Sequence, residues 1–354
     1  MAIVSRPFGK TPDGKTVTMY TMTNASNASV SMIDYGAIVT SIIVPDRDGN
    51  LADVALGFDS LDRYLAGHGS MGDTIGRYGN RIAKGKLTID GVTYQLALND
   101  HGINHLHGGV HGFSHKMWDV SIDADDQKDT LTFHTLSPDG DENYPGNLDV
   151  YVSYTWDAMN NLTIRYQATT DKPTVCNMTN HTYFNLAGHD SGTIREHTVA
   201  IEADVITPVD SGLIPTGSYM PITGTPLLMN GDCTLGEGLD QMDTCPQMIP
   251  AHGYDHNYVL RKGEAFGLVA EVWESECGRA MEVYSDQPAV QLYTACTTNL
   301  ENGKGGVHYQ PYCGLCLETQ HCPDSPNQPQ FPGTTLLRPG EKYDTTTIYA
   351  FRTI

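Results

Sequence analysis

Three stretches of the chain gather side chains able to move protons or hold polar ligands. The first carries five histidines: His101, His105, His107, His111 and His115. That density invites a metal reading, since a zinc site needs three or four ligands converging at about 2 Å. Gly108, Gly109 and Gly112 break up the segment, so no helix aligns histidines at i and i+4. The reading adopted is a loop whose histidines mostly face water, with one or two entering a pocket and no metal. His107 is singled out because the two glycines after it let the backbone turn sharply and approach a ligand closely.

The second stretch, NMTNHTYFNLAGH from Asn177 to His189, is dense in hydrogen-bonding groups and free of Asp, Glu, Lys and Arg. Such a run suits a neutral polyol; a turn in which Asn and Thr satisfy their own backbone explains it equally well. The third, CGLCLETQHCPDSPNQPQFPG from Cys313 to Gly333, places Gly314, Cys316 and Glu318 on one strand face and Leu315 and Leu317 on the other. A carboxylate in an otherwise apolar strand is costly unless it is paired or used. Cys313 and Cys316 fall on opposite faces, whereas a zinc knuckle needs a turn between its cysteines, so these thiols are expected to be buried and free. Gly303-Lys304-Gly305-Gly306 lacks full P-loop spacing and reads as a loop.

The elements that must position these groups are strands. Leu148, Val150, Val152, Tyr154 and Trp156 step by two, a turn follows at Asp157 to Asn161, and Leu162, Ile164, Tyr166 and Ala168 step by two again. This predicts a hairpin with one buried face. Similar runs lie at 30–44, 131–136, 280–285 and 315–319, separated by turns such as Pro45 to Gly49 and Ser137 to Gly140. Helix signals are few; Ser60 is a candidate N-cap for a short helix from Leu61 to Ala66. Parallel βαβ units need long crossovers, so the expected fold is all-β. It is a large antiparallel β-sandwich formed by residues 1–354 as a single domain.

Composition narrows the partner. The chain of 354 residues carries 42 Asp+Glu against 21 Lys+Arg, a net charge of −21. This argues against nucleic acid, whose phosphates need a basic face, against an anionic membrane surface, and against heavily phosphorylated substrates. The N-terminal residues show no signal peptide, and no run approaches the roughly 20 apolar residues of a membrane span. The eight cysteines are therefore expected to be reduced thiols in the cytoplasm.

Six segments together resemble the galactose mutarotase (aldose 1-epimerase) family, in that family's order. They are GRYGNRIAKGKLTIDG (76–91), NHLHGGVHGF (104–113), SPDGDENYPGNLDV (137–150), NMTNHTYFNLAGH, YDHNYVL (254–260) and LETQHCPDSPNQPQFPGTTLLRPGEKY (317–343). The resemblance implies a large β-sandwich and a cofactor-independent enzyme that interconverts the α and β anomers of a free hexose such as galactose or glucose. It implies Glu318 as general base and His181 as general acid. His107 would bind near the ring oxygen and anomeric hydroxyl, and Asn80, Arg81, Asp255 and Gln291 would hold the remaining hydroxyls. Either a monomer or a homodimer is compatible. The chain departs from the usual pattern at Gly79 (Ala is common), Asn143 (Gly), Ala295-Cys296 (Gly-Asn) and Cys322 (aromatic). The last two sit beside expected ligands and bear on sugar preference. Three alternatives stay open at this stage. A hexose-6-phosphate epimerase would need more basic residues than Arg81. A glycosidase using Asp255 and Glu318 leaves His107 and His181 without roles, and a sugar-binding protein has no need of Glu318 and His181.

Overall fold

The hairpin predicted from alternation forms as Leu148–Asp157 and Asn161–Thr170, with Leu148 facing Thr170 and Trp156 facing Leu162. Leu148, Val150, Val152, Tyr154 and Trp156 are all fully buried. The turn is fixed by Asp157, whose Oδ1 accepts from the backbone N–H groups of Met159 and Asn161. The hairpin lies within a sheet that has nine strands among the described residues. Their order is Asp119–Ala124, Lys128–Ser137, Leu148–Asp157, Asn161–Thr170, Tyr343–Thr353, Arg279–Ser285, Gly267–Glu274, His197–Ile201 and Asn230–Thr234. Every pairing in it is antiparallel. The structure is a computed structural model that describes residues 2–124 and 128–354.

Two five-stranded sheets accompany it. One is a meander over Ala2–Lys10, Thr16–Thr23, Ser29–Ile33, Ile38–Pro45 and Leu51–Asp53. The other runs Met220–Pro221, Ala203–Ile206, Asp255–Leu260, Ala289–Tyr293 and Cys316–Gln320. One apolar cluster takes side chains from all three, among them Val30 and Val39, Val152 and Trp156, and Leu292 and Leu317. At roughly 25 cal/mol per Å² of buried apolar surface, this shared interior is what packs the sheets together as an antiparallel sandwich.

The described helices are single turns. Leu61–Leu65 is the one anticipated, and it stops one residue before Ala66, ahead of Gly67 at φ +102°. Ser60 holds the N-cap position with extended backbone, yet its side chain makes no capping hydrogen bond. A true capping box occurs instead at Thr234 and Glu237, at the start of Leu235–Leu239. No described helix is long and apolar enough to cross a membrane.

Candidate active site

The third sheet builds one wall of the site through its register. Gln291 pairs with Glu318 across the Ala289–Tyr293 and Cys316–Gln320 strands, and Asn257 pairs with Gln291 on the other side. Asp255 lies two residues from Asn257 and so shares its face. Leu315 and Leu317 enter the main apolar core, while Cys316 and Glu318 look the other way, as alternation predicted. Glu318 is 2% exposed, and its Oε2 has no hydrogen-bond partner.

The facing wall comes from loops. Arg81–Ile82 pairs with His105–Leu106, which brings Asn80 and Arg81 beside His107. The contact is reciprocal: His107 N–H donates to the Asn80 carbonyl, and Asn80 N–H donates to His107 Nδ1 at 3.2 Å. His181 follows the short Thr179–Asn180 strand and is pinned by its own backbone, its N–H donating to the Asp73 carbonyl at 2.9 Å. Its Nε2 stands 3.6 Å from Glu318 Oε1, and its Nδ1 stands 3.5 Å from Cys316 Sγ.

These groups open on a cavity of about 480 Å³ lined by Asn80, Arg81, His107, His181, Asp255 and Glu318, together with Tyr183, Tyr293 and Thr297. Six of the seven expected site residues thus converge. Gln291 does not line the cavity; its Nε2 donates to Asp255 Oδ1 at 2.6 Å, so it stands behind Asp255. Among the described residues Arg81 is the single Lys or Arg in the lining, and it already faces Asp100 at 3.0 Å and Asp255 at 3.8 Å.

Electrostatics favour the uncharged forms of Glu318, His181 and His107. Burial first, then the charge of Asp255, pushes the Glu318 carboxyl well above the usual carboxylate range, with Arg81 opposing. Burial likewise lowers His181, against the pull of Asp73 and Asp255. Burial lowers His107 further, with His181, Arg81 and His105 adding to the effect.

One ligand atom each from His107, His181 and Glu318 lies within 4.8 Å of the others, close enough to suggest a cation site. The hydrogen bonding argues against one. A ligating histidine normally donates its second ring N–H to an acceptor, whereas His107 Nδ1 accepts from Asn80 N–H. That bond fixes the neutral Nε2–H tautomer, so the nitrogen facing the cavity carries a proton rather than a free lone pair.

Of the five clustered histidines, two line the cavity, His107 facing Glu318 and His181 and His101 exposed at its edge; His111 and His115 are exposed, and His105 is buried against the Tyr144 hydroxyl. The glycines after His107 approach protein rather than ligand. A Cβ on Gly108 would lie 1.8 Å from the Gly76 carbonyl oxygen, and one on Gly109 would lie 2.1 Å from a Glu142 carboxylate oxygen. In the 177–189 stretch both readings hold at different residues. Asn180 Oδ1 accepts from Thr182 N–H and Asn185 Oδ1 accepts from Ala187 N–H, both two residues on, while His181 and Tyr183 face the cavity. Sequence reasoning missed Asp100, the buried His68–Asp73 pair at 2.5 Å, and Tyr293. None lies in a stretch whose pattern marks it.

The departures from the family pattern lie outside the cavity lining. Cys322 packs with Ala289 and Phe331, and Cys296 Sγ sits 3.4 Å from the Tyr254 carbonyl. Asn143 and Ala295 have φ of +68° and +49°, the region that glycine adopts without strain. Asn tolerates it; Ala pays about 1–2 kcal/mol. Ala295 is also fully buried in an apolar cluster. Ala295→Gly therefore relieves the strain but loses about 0.8 kcal/mol of methyl burial, as well as about 0.5–1 kcal/mol to the greater chain entropy of glycine. The terms nearly cancel, and the urea midpoint is expected to stay close to that of wild type. A large shift in either direction would contradict this.

A β-sandwich whose cleft sets a carboxyl against an imidazole, amid amide and aromatic groups, defines a class: a protein equipped for proton transfer on a small polar molecule. The family model described as aldose 1-epimerase matches residues 18–350. Galactose mutarotase of Homo sapiens is 42% identical over 353 residues, covering 99% of both chains. Aldose 1-epimerase of Escherichia coli is 37% identical over 343 residues, covering 96% of both. The crystal structure of galactose 1-epimerase from Lactobacillus acidophilus superposes with a TM-score of 0.86 at 26% identity, covering 99% of both chains. The chain belongs to the aldose 1-epimerase family.

Proposed function

We infer that the protein interconverts the α and β anomers of a free hexose such as galactose or glucose by opening and reclosing the ring. The observation that carries this reading is the buried, unpartnered Glu318 oxygen beside His181 Nε2 at the wall of a cavity with a single, already paired cation. A substrate phosphate would need cations free to meet it; a neutral sugar does not.

Glu318 takes the proton of the anomeric hydroxyl while His181 Nε2 gives one to the ring oxygen. The C1–O bond breaks, the aldehyde rotates about C1–C2, and the ring closes on its other face with the two roles reversed. A neutral carboxyl–imidazole pair holds the same number of protons as a carboxylate–imidazolium pair. The resting and reactive forms therefore differ only by a proton shift across the 3.6 Å gap. His107, fixed with Nε2–H toward the cavity, donates to the oxygens at the anomeric centre. Asn80, Arg81 and Asp255 hold the remaining hydroxyls, and Gln291 orients Asp255.

The same reading places the enzyme in the cytoplasm, which the eight unpaired thiols support. Polarimetry of pure α-galactose and α-glucose tests the function: the protein accelerates the approach to anomeric equilibrium, and a rate equal to the buffer blank for every sugar in a panel rejects it. Asp255→Asn is expected to raise KM by about tenfold or more, the size of one hydrogen bond to a charged group. An unchanged KM would remove Asp255 from the binding set.

A further inference from the structure

We propose that Cys316 is a positioning residue for this reaction. Its sulfur accepts the Nδ1–H of His181 and thereby reserves Nε2 as the nitrogen that exchanges protons. The inference rests on His181 being the acid of the epimerase reading and adds the group behind it.

The geometry comes from a single strand. Cys316 and Glu318 are two residues apart on the Cys316–Gln320 strand and so project from the same face. One meets Nδ1 of His181 at 3.5 Å and the other meets Nε2 at 3.6 Å. Two adjacent same-face positions thus address both nitrogens of one imidazole. The ring has little freedom to turn between them: His107 meets it edge-on at 5.1 Å and Tyr183 lies along it at 5.1 Å with a 30° tilt. Cys316 is fully buried and His181 is 5% exposed, so bulk water does not serve Nδ1 in place of the sulfur.

Proton counting shows which partner donates. In the neutral pair the Glu318 carboxyl presents its O–H to a bare Nε2, which leaves the ring hydrogen on Nδ1. In the ion pair both nitrogens carry hydrogen. When His181 acts as acid, the Nε2–H bond breaks and a ring-oxygen O–H bond forms. The N–H electron pair stays on Nε2, and Nδ1 again keeps its hydrogen. Nδ1–H persists throughout, and it needs an acceptor at every step. A thiol sulfur is a weak, uncharged acceptor. Burial, followed by the negative field of Glu318, keeps this thiol protonated well above its ordinary 9.0. It therefore orients the ring without the fixed charge by which a carboxylate would hold the imidazolium and slow its release of a proton.

The wild-type enzyme labelled with ¹⁵N-histidine gives a direct test by ¹⁵N–¹H correlation NMR, with the His181 signals assigned by their loss in His181→Asn. The expected result near neutral pH is hydrogen on Nδ1 and a bare Nε2; hydrogen on Nε2 in the neutral ring overturns the proposal. Cys316→Ala and Cys316→Ser extend the test to rate. The Ala variant is expected to lose about five- to tenfold in kcat, the size of one modest hydrogen bond, with KM unchanged and a mixed tautomer. The Ser variant, still an acceptor, keeps most of kcat and the Nδ1–H tautomer. Its acid pH limb moves upward relative to that of the Ala variant.

The other groups acting on His181 are Glu318, Asp73 and Asp255, which favour its protonated form, and His68 and His107, which oppose it. All are common to the three proteins, so a difference between the limbs reports the residue at 316. Equal kcat and equal limbs in the Ala and Ser variants would make the thiol mere filling and overturn the proposal. Absence of mutarotation by the wild type would defeat the epimerase reading separately, whatever the tautomer.

Discussion

Glu318→Gln is expected to lower kcat for galactose mutarotation by about 10² to 10⁴, the range contributed by one positioned proton-transfer group. The amide keeps the shape of the carboxyl and the strand register against Gln291, but it has no basic oxygen to take the anomeric proton. KM should change little, because the groups proposed to hold the hydroxyls lie on other elements. Stability separates a chemical from a structural cause. The folded carboxyl is raised well above its ordinary 4.5, chiefly by burial. The native state therefore binds that proton more tightly than the unfolded chain does. Glu318 contributes its stability in full below pH 4.5 and loses it as pH rises through the raised folded value. Gln never ionises, so Glu318→Gln should unfold at or above the wild-type urea midpoint at neutral pH while being nearly inactive. A variant that is both inactive and strongly destabilised, or one with near-normal kcat, would remove Glu318 as the base.

How legible this was depends on the distance over which each constraint acts. The Leu148–Asp157 and Asn161–Thr170 hairpin could be read because its alternation and its Asp157 turn are local. Glu318 stood out for the same reason, as a carboxylate on a strand whose other face is Leu315 and Leu317. The pairing of Gln291 with Glu318 and the meeting of Arg81 with Asp100 and Asp255 are set by sheet register and loop packing. No periodicity carries that information, and the expectation for Asn80, Arg81, Asp255 and Gln291 came from family resemblance alone. Gln291 shows the difference: resemblance placed it among the ligands, and the geometry places it behind Asp255. Ser60 failed as a side-chain cap because a suitable residue type at a helix start does not determine where its hydroxyl points.

His181→Asn should cost at least about a hundredfold in kcat, and its pH profile is more informative than the loss itself. In wild type the active form carries one proton between His181 and Glu318. As pH falls a second proton loads the imidazole, no base is left, and the rate drops. Burial, the first cause acting on His181, lowers its proton affinity, so this acid limb should be centred below the ordinary 6.5. As pH rises the last proton leaves from a carboxyl that burial has raised, so the alkaline limb lies above the ordinary carboxylate range and the wild-type rate falls again beyond it. The substituted amide neither gives nor takes a proton, so in the variant Glu318 titrates alone. Its basic form is absent at low pH and appears only as pH passes the raised value, so the residual rate should climb through that limb and not fall again. A residual profile that kept the wild-type fall at high pH would mean that the two groups do not share a proton, and the 3.6 Å approach of Nε2 to Oε1 would then be packing rather than chemistry.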